Sequence, residues 1–499
     1  MFLSISSAFP AYVSAADPAP RVDLAGAVTS TIESNHGIRI ERIGVDAGEA
    51  RLTTASGEFD WNFVSGVSAG RELEPALAPY IYGTDFSDWQ YTVGVEKKLR
   101  NGAVLSPRAG TAALNDPGLT TGRWASRGAV NFEMLMPLAR GGGVESAASA
   151  EGFARKDLEN SYSLYRHQIA TGVLDTVTAY WKCVGATQTL QILRTSEQQA
   201  EEMEKVVVRL ANANLFSPAY VEQAQSNSRE KKTLRINAEL EQYKARQTLG
   251  VSMGLDAMAL AAPPLPADLF PELVMPALPG SESYAQIIRY AQSAREDLKA
   301  AQSSLEALAV LTRAARHDLR PRVDLSLHLS YDGVDNGQRP QAFLSNERDG
   351  FRVIGGLSME LPLQNRLYSG QLRERLAEEG QASVLREQVA QTIASEVMVA
   401  LEEVASTYTA YSVSADAEKY YAQALEKEHK RFLIGDSSFI DVVTLQDKYR
   451  DTQLETIAAR QAHLVALAQL RFATGTLVNG EDASGSVAVD KLTEVPRFE

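Results

Sequence analysis

The sequence predicts a mainly α-helical fold that also contributes β-strands to a membrane barrel. The helical part is indicated by residues 371–434, which contain no proline and only one glycine, Gly380. Apolar residues recur in this segment at spacings of three and four, which places them on one face of a helix. They are Leu385, Val389, Ile393, Val397, Leu401, Val404, Tyr408 and Tyr411. The strands are indicated by short segments in which apolar and polar residues alternate.

The same order of elements occurs twice, which predicts two internal repeats. The first repeat covers residues 22–260 and the second covers residues 283–477. Each is predicted to contain an opening helix (23–56 and 283–319), strands (59–138 and 322–363) and a long helical hairpin (144–260 and 371–477). A proline-rich equatorial linker at 261–282 is expected on the outside of the protein. The acidic tail at 478–499 is expected to be poorly ordered or to wrap the same belt.

Each repeat ends in a hairpin whose first arm is unusually long. An arm of roughly 65 residues would be about 100 Å long at ~1.5 Å per residue, and this length favours coiled-coil packing. Both arms end at a short break, at 211–225 and at 433–446, and the chain then returns antiparallel. Ser217 and one residue among 436–438 are expected to cap the two return helices.

The segment RPRVDLSLHLSYD (320–332) shows the clearest strand pattern. Its apolar residues fall on one face, whereas Asp324 and His328 fall on the other. A strand of about ten residues crosses a bilayer when it is tilted, and aromatic residues near the strand ends are typical of a membrane barrel. A soluble sheet packed on one face would show the same alternation, but no helix layer remains to cover strands inserted between such long arms. The residues expected to face lipid are Val323, Leu325, Leu327, Leu329 and Tyr331.

The number of strands bears on the assembly of the protein. Four strands are predicted, at 59–67, 129–138, 323–332 and 351–363. The smallest membrane barrels have eight strands and lipid does not tolerate open sheet edges, so several copies must share one barrel. Three copies with four strands each would form a twelve-stranded barrel. Residues 89–111 contain Asn-Gly at a turn and predict a further hairpin, so four and six strands per chain both remain open.

Composition excludes several classes of function. The net charge of −14 argues against nucleic-acid binding, which needs a basic surface. The lone cysteine, Cys183, cannot form an internal disulfide or a zinc site, and the six histidines lack metal-ligand spacing. Catalytic and phosphate-binding motifs are missing from the sequence, so we expect neither an enzyme nor a bound cofactor. Residues 1–15 are apolar and small, which predicts a signal peptide that lacks a basic start.

The second hairpin resembles the outer-membrane efflux protein family, the TolC-like channel-tunnels of Gram-negative bacteria. Its pattern R-x-x-x-G-x-x-S-x-x-D-V is carried by Arg431, Gly435, Ser438, Asp441 and Val442. The Leu/Ala-rich return helix ends in Gly-Thr-Leu at 475–477, as is typical of the family. The phrase MPLARGGG at 136–143 resembles a strand-to-helix junction in one branch of the family. The resemblance extends over residues 22–477.

This resemblance implies a homotrimer with a shared outer-membrane β-barrel and an α-barrel tunnel that crosses the periplasm. It implies passive conduction in a tripartite efflux or type I secretion system. The implied partners are a periplasmic adaptor (membrane fusion) protein, an inner-membrane pump and outer-membrane lipid. The alternative, from another class, is a non-transporting coiled-coil scaffold or adhesin of the cell envelope. The exported substrate stays open.

The resemblance also implies two sets of site residues near the hairpin tips. The periplasmic gate would comprise Asp441, Thr444, Asp447, Tyr220 and Glu222. Adaptor docking would involve Ala213, Asn214, Gly435 and Asp436. Thr444 stands where the family has a second carboxylate, which Asp447 could partly replace. Three copies of Asp441 about one axis would repel one another and attract cations, whereas a purely structural Asp441 would stabilise a helix N-terminus.

Overall fold

The computed structural model describes residues 20–74, 84–115, 124–213, 217–277, 280–335, 349–434, 436–478, 487, 492 and 494–496. The predicted signal peptide at 1–15 lies outside these residues. The chain divides into two compact units. The helical unit comprises residues 1–44, 163–299 and 388–499, and the sheet unit comprises residues 45–162 and 300–387. Within the described ranges, each helix is too short or too polar to be a candidate membrane span.

Helices make up most of the described chain, as predicted. Two of them are very long, with 64 residues in α4 and 68 residues in α8. Each is followed by a return helix of 35 residues. The helices are α1 (Leu24–Ser34), α2 (His36–Gly57), α3 (Val144–Ala147), α4 (Ser149–Asn212), α5 (Pro218–Ser252), α6 (Tyr284–Ala294), α7 (Glu296–Asp318), α8 (Arg366–Leu433) and α9 (Phe439–Ala473).

The strands form one antiparallel sheet of six and a separate pair. The pair consists of β1 (Arg21–Val22) and β6 (Leu265–Pro266), which run parallel. The sheet has the order β2-β3-β4-β5-β7-β8. Its strands are β2 (Trp61–Glu74), β3 (Thr84–Lys98), β4 (Val104–Asn115), β5 (Trp124–Pro137), β7 (Arg322–Asp335) and β8 (Asp349–Glu360).

Two features of this sheet go beyond the sequence expectations. The hairpin predicted at 89–111 is β3 and β4, and it lies inside the sheet between β2 and β5. Each chain therefore pairs six strands rather than four. The strands are 12–15 residues long instead of about ten, because backbone pairing continues past the end of the apolar alternation. Asn101 and Gly102 lie in the tight turn, where Gly102 adopts φ 91°.

Each predicted opening helix is in fact two helices. The first breaks at Asn35, whose side chain accepts a hydrogen bond from the Gly37 amide (2.8 Å) and so caps α2. The second breaks at Arg295, which adopts an extended conformation (φ −68°, ψ 125°). A glycine with positive φ follows each return helix, and each of these glycines packs against one of the two helix breaks. Gly254 lies against Ser34 and Asn35, and Gly475 lies against Ala294 and Arg295.

Gly475→Ala is expected to lower the melting temperature of the protein. An added Cβ would lie 2.9 Å from the Ala294 Cβ, and the φ of 71° is unfavourable for alanine, so the cost should be about 1–3 kcal/mol. Gly380→Ala is the matched control, because its Cβ inside α8 would meet open space and should add ~0.5–1 kcal/mol of stability. Thermal unfolding in detergent measures both. Equal melting temperatures for the two variants would contradict this packing role.

The helical unit has one large hydrophobic core. Apolar residues that recur at spacings of three and four on α4 are buried there, together with the central part of the stripe predicted on α8. Trp181 of α4 stacks on Phe270 with ring centroids 5.9 Å apart. The buried residues of the two stripes are Ile169, Val173, Val177, Tyr180, Val184, Ile393, Val397, Leu401 and Val404.

The linker and the tail also contribute to this core. Phe270 is buried, and the Asp268 carboxylate accepts hydrogen bonds from the Tyr180 hydroxyl (2.6 Å) and the Leu24 amide (3.0 Å). Most described linker residues are exposed or half-buried, and Phe270 inserts its ring into the core. In the tail, Leu492 is buried and the Glu494 carbonyl accepts a hydrogen bond from Arg471. These described tail positions pack against the unit rather than lying free.

Candidate functional site

The second hairpin tip is organised by a reciprocal cap at the start of α9. The Ser438 hydroxyl accepts a hydrogen bond from the Asp441 amide (3.2 Å). The Asp441 carboxylate in turn accepts from the Ser438 hydroxyl (2.7 Å) and amide (3.3 Å). These donors lower the pKa of Asp441 below its ordinary value. Asp441 is exposed and carries a negative charge at neutral pH, and it also stabilises the helix N-terminus.

The two other predicted gate positions on α9 differ from Asp441. Thr444 is exposed, but its hydroxyl donates to the Ile440 carbonyl of its own helix (2.8 Å). Asp447 forms ion pairs with Lys231 of α5 (2.5 Å) and with Arg450 (2.8 Å). Only 3 % of the Lys231 side chain is exposed, so removal of Asp447 would leave a buried ammonium group without this close partner. Asp447 is thus neutralised within one chain and is a poor replacement for a free gate carboxylate.

The first hairpin tip packs against the second through aromatic rings. Tyr220 lies edge-on to Phe439, with ring centroids 6.3 Å apart, and Phe439 is buried against Val207 and Ala224. Glu222, one turn into α5, is exposed. The two hairpins therefore meet near their tips, and Tyr220 acts there as a packing residue.

The predicted docking residues are only partly described. Ala213 is exposed directly after α4. The exposed Asp436 accepts a hydrogen bond from Arg431 (3.1 Å), which also pairs with Glu428. Asn214 and Gly435 lie outside the described residues. The caps at Ser217 and Ser438 are confirmed.

Sequence reasoning missed Lys231, Arg450 and Phe439 at the tips. Lys231 and Asp447 come from different hairpins, so local sequence carries no signal for their pairing. Phe439 follows directly after the cap residue Ser438, and an aromatic residue at that position could have indicated a packed helix start. Arg450 lies one turn beyond Asp447, and this i, i+3 spacing alone could have suggested the ion pair.

The second candidate site is the six-stranded sheet, whose pairing separates apolar from polar side chains. Residues directly opposite each other in an antiparallel sheet point to the same face. The series Phe63↔Val95, Val93↔Ala109, Ala109↔Val130, Val130↔Tyr331 and Tyr331↔Phe351 therefore traces one face across all six strands. All five residues predicted to face lipid lie on this apolar face. Its other large members include Trp61, Val67, Trp89, Tyr91, Phe132, Met134, Met136, Val353, Leu357 and Met359.

The opposite face of the sheet carries charges that are mostly paired. Asp324 and Asp332 are on it, and Asp324 is nearly buried beside Arg322 rather than freely wetted. Asp324 has its counter-charge on its own strand, whereas Asp332 and Glu96 have theirs on the neighbouring strand. The ion pairs are Arg322–Asp324 (2.7 Å), Arg127–Asp332 (3.0 Å) and Arg108–Glu96 (3.1 Å), and the His328 ring lies 3.4 Å from the Glu133 carboxylate.

Two glycines on the polar face, in the interior strands β3 and β4, are crowded by the neighbouring strands. A Cβ atom at Gly94 would lie 2.9 Å from the Arg108 Cα, and one at Gly110 would lie 2.9 Å from the Thr92 side chain. On the apolar face, a Cβ at Gly355 would meet nothing within 4 Å. Gly355 lies on the edge strand β8, and a Cβ at Gly350, on the polar face of the same strand, would also meet nothing within 4 Å. The tight packing is therefore a property of the inner strands β3 and β4, where the neighbouring backbones approach closely at Gly94 and Gly110.

The comparison with protein families bears on the second half of the chain. Residues 287–476 match the family model described as Outer membrane efflux protein. This segment carries an outer membrane efflux protein domain. The match confirms the resemblance predicted from the second hairpin, and it includes β7, β8, α8, α9 and the capped Asp441. No curated protein matches the sequence significantly.

Solved structures share the fold over nearly the whole chain. The CmeC outer membrane channel of Campylobacter jejuni is similar with a TM-score of 0.70 and 14 % identity, covering 97 % of this chain and 96 % of that one. A membrane protein from Pseudomonas aeruginosa has a TM-score of 0.68 and 17 % identity, with coverages of 92 % and 91 %. The open state of the MtrE outer membrane channel of Neisseria gonorrhoeae has a TM-score of 0.64 and 14 % identity, with coverages of 91 % and 88 %. At such identities the likeness establishes the fold alone.

Proposed function

We propose that the protein is an outer-membrane channel that passively conducts substrates from the periplasm to the outside. The observation that carries this proposal is the two-faced sheet in a chain with an outer membrane efflux protein domain. A face of large apolar side chains suits acyl chains, while a face of paired charges and serines suits a water-filled lumen.

The proposed channel works as a homotrimer in a tripartite efflux or type I secretion system. Within the described residues, the outer edges of β2 and β8 have no strand partner, and lipid does not tolerate such edges. Neighbouring copies would therefore complete the barrel. The long hairpins would form the periplasmic tunnel, with the adaptor protein bound at their tips and an inner-membrane pump as the energy source. The two helix breaks, each packed by an equivalent glycine, support the proposed two-repeat organisation.

At the tunnel entrance we assign the acidic gate to Asp441. Its low pKa keeps it charged, and it is not paired as closely as Asp447 is. Three copies around the axis would then attract cations. Glu222 of the first hairpin and Thr444 of the second are exposed within the first two turns of the return helices. Tyr220 would act through its contact with Phe439.

Asp441→Asn is expected to weaken cation selectivity and divalent block in planar bilayers, because it removes the proposed ring of charge. Asparagine retains the capping oxygen, so the loss of helix stability should be small. Asp441→Ala combined with Asp447→Ala should show the same change in selectivity with reduced stability. Unchanged selectivity and block in both variants would contradict the gate assignment while leaving the channel itself intact.

Cell fractionation separates the channel from the alternative scaffold or adhesin. A channel should be recovered in the outer-membrane fraction, should require detergent for extraction, and should give discrete conductance steps in planar bilayers. A scaffold or adhesin should give no such steps, even when it is bound to the envelope. Recovery without detergent, together with absent conductance, would overturn the proposed function.

A further inference from the structure

We infer that the β3–β4 hairpin is embedded in the membrane, so that each copy of the chain contributes six strands to the shared barrel. This inference rests on the proposed function and concerns how the barrel is composed. In the proposed trimer, three copies of six strands give eighteen strands, whereas four strands per copy would give twelve. Barrel diameter grows roughly linearly with strand number, so the lumen would be wider.

The first argument is the position of the hairpin within the sheet. β3 pairs with β2 along 14 residue pairs, from Trp61↔Lys97 to Glu74↔Thr84. β4 pairs with β5 from Val104↔Leu135 to Asn115↔Trp124. The hairpin thus lies between β2 and β5. If it lay outside the bilayer, β2 would lose its pairing with β3 and β5 would lose its pairing with β4. A flap outside the membrane would instead leave β2 and β5 adjacent.

The second argument is chemical continuity across the hairpin. Val93 and Ala109 are paired and belong to the apolar face, in line with Val130 of β5. Thr92 and Gly110 are paired on the polar face. β3 therefore carries the same separation of apolar and polar side chains as β5, β7 and β8. β4 has mostly small side chains and follows it less strictly, since Thr111 lies on its apolar face and Leu114 on its polar face. A strand pair outside lipid would have no need for an apolar face in register with them.

The third argument is that the hairpin turn is fixed to the helical base of the sheet unit. Arg100 donates two hydrogen bonds to the Glu151 carboxylate of α4 (2.7 and 3.0 Å), and Glu151 is buried. The Gly143 amide donates to the Asn101 carbonyl (2.9 Å). Gly102 is so close to the Gly141 carbonyl that a side chain would not fit. The turn is thereby held at the same end of the sheet as the junction at 137–144, from which α3 begins.

The partner at the open edges would be a second copy of this chain. β2 and β8 run in opposite directions because the six-stranded order is antiparallel throughout, so β8 of one copy can pair antiparallel with β2 of the next. Their lengths of 14 and 12 residues are similar. Phe63 and Val353 on these strands are 72 % and 58 % exposed in the single chain. An edge partner would continue the apolar face without interruption.

Cysteine labelling tests whether the hairpin lies in lipid. Cys183 is replaced by alanine in every variant; it is buried and its pKa is raised to about 11, so it contributes little reactivity in any case. Val93→Cys and Ala109→Cys report on the apolar face of the hairpin, and Thr92→Cys reports on its polar face. Val130→Cys and Asn131→Cys are the matched pair on β5. The protein is reconstituted in lipid vesicles and treated with a charged, membrane-impermeant maleimide.

We expect Thr92→Cys and Asn131→Cys to be labelled in vesicles, and the three apolar-face cysteines to be labelled only after denaturation. Labelling of Val93→Cys and Ala109→Cys with protection of Val130→Cys would place the hairpin outside the bilayer. That result overturns the inference and leaves the proposed channel intact. Labelling of all five positions would overturn the proposed function together with the inference.

Disulfide cross-linking tests the edge pairing independently of lipid exposure. Phe63→Cys is combined in turn with Phe351→Cys, Val353→Cys, Leu357→Cys or Met359→Cys, because the register between copies is unknown. We expect oxidation to form a disulfide between separate chains in at least one of these double-cysteine combinations. The yield of cross-linked chains should be far higher than in the matched single-cysteine variants. If every combination stays monomeric on non-reducing gels while the channel conducts, β2 and β8 of neighbouring copies are not paired.

Discussion

Leu327→Arg is expected to prevent stable insertion of the protein into the outer membrane. Leu327 lies near the middle of β7 on the apolar face, opposite Met134. An arginine facing the middle of the bilayer costs ~2–4 kcal/mol in a membrane barrel, and every copy in the assembly would carry this cost. The amount of folded protein in the outer-membrane fraction should fall severalfold, as measured by quantitative immunoblotting and by refolding into vesicles.

Ser326→Arg is the matched control for this change. Ser326 is the adjacent residue on the same strand, it is exposed, and its side chain lies on the polar face. The new charge would face water, so insertion should stay close to the wild-type level. A similar loss in both variants would indicate general disruption of β7, and normal insertion of Leu327→Arg would contradict the lipid-facing assignment. The comparison therefore tests the orientation of the strand rather than its tolerance of arginine.

Arg295→Met is expected to destabilise the helical unit strongly. Arg295 is buried at the break between α6 and α7, where it pairs with Asp297 (2.7 Å) and Glu396 (2.8 Å) and lies over the Phe472 ring. Methionine would retain packing volume but leave Asp297 without its counter-charge. Breaking a buried pair in this way costs about 3–5 kcal/mol, and partial exposure of the two acids reduces this towards the lower end. Thermal or chemical unfolding in detergent measures the loss.

The effect of Arg295→Met should depend on pH. Burial alone would raise the pKa of Asp297, but the Arg295 hydrogen bond and charge lower the pKa overall. A lowered folded-state pKa stabilises the protein above the unfolded pKa, which is ~3.9 for Asp, and this contribution is lost as the pH falls. In the variant, burial should raise the pKa of Asp297, so acid should relieve the penalty. The stability difference from wild type should therefore shrink between neutral pH and about pH 4.

Arg289→Met provides the control on α6. Arg289 is exposed on the same helix, so its replacement should change stability by less than about 0.5 kcal/mol and show little pH dependence. A pH-independent loss in Arg295→Met would indicate that its packing on Phe472, rather than its charge, stabilises the break.

The tip residues show which contacts local sequence could predict. The Ser438 cap and the ionised Asp441 follow from residues three positions apart, so the sequence pattern was sufficient. The neutralisation of Asp447 was not predictable, because Lys231 belongs to the other hairpin. The helix break at Asn35 had a local signal in an asparagine cap, whereas the break at Arg295 depends on contacts with Glu396 and Phe472.

The strands likewise have some features that local sequence predicts and others that it does not. Alternation in β7 alone placed Val323 to Tyr331 on one face, since the side-chain period of an extended chain is a local property. The Asn-Gly turn predicted the β3–β4 hairpin, but its place between β2 and β5 depends on hydrogen bonds between residues that are distant in sequence. The burial of Phe270 in the linker was not predictable, because proline content excludes regular structure but does not specify which side chains pack inward.

The sequence by itself determined the long helices, the capped hairpin tips, the two-faced strands and the resemblance to outer-membrane efflux proteins. Each of these depends on residues within a few positions of one another, so periodicity and local hydrogen bonding carry the information. Only the tertiary structure decided that six strands pair in each chain, that Asp447 is paired with Lys231, and that the linker joins the core. Those outcomes depend on which distant segments meet, and many alternative pairings satisfy the same local pattern.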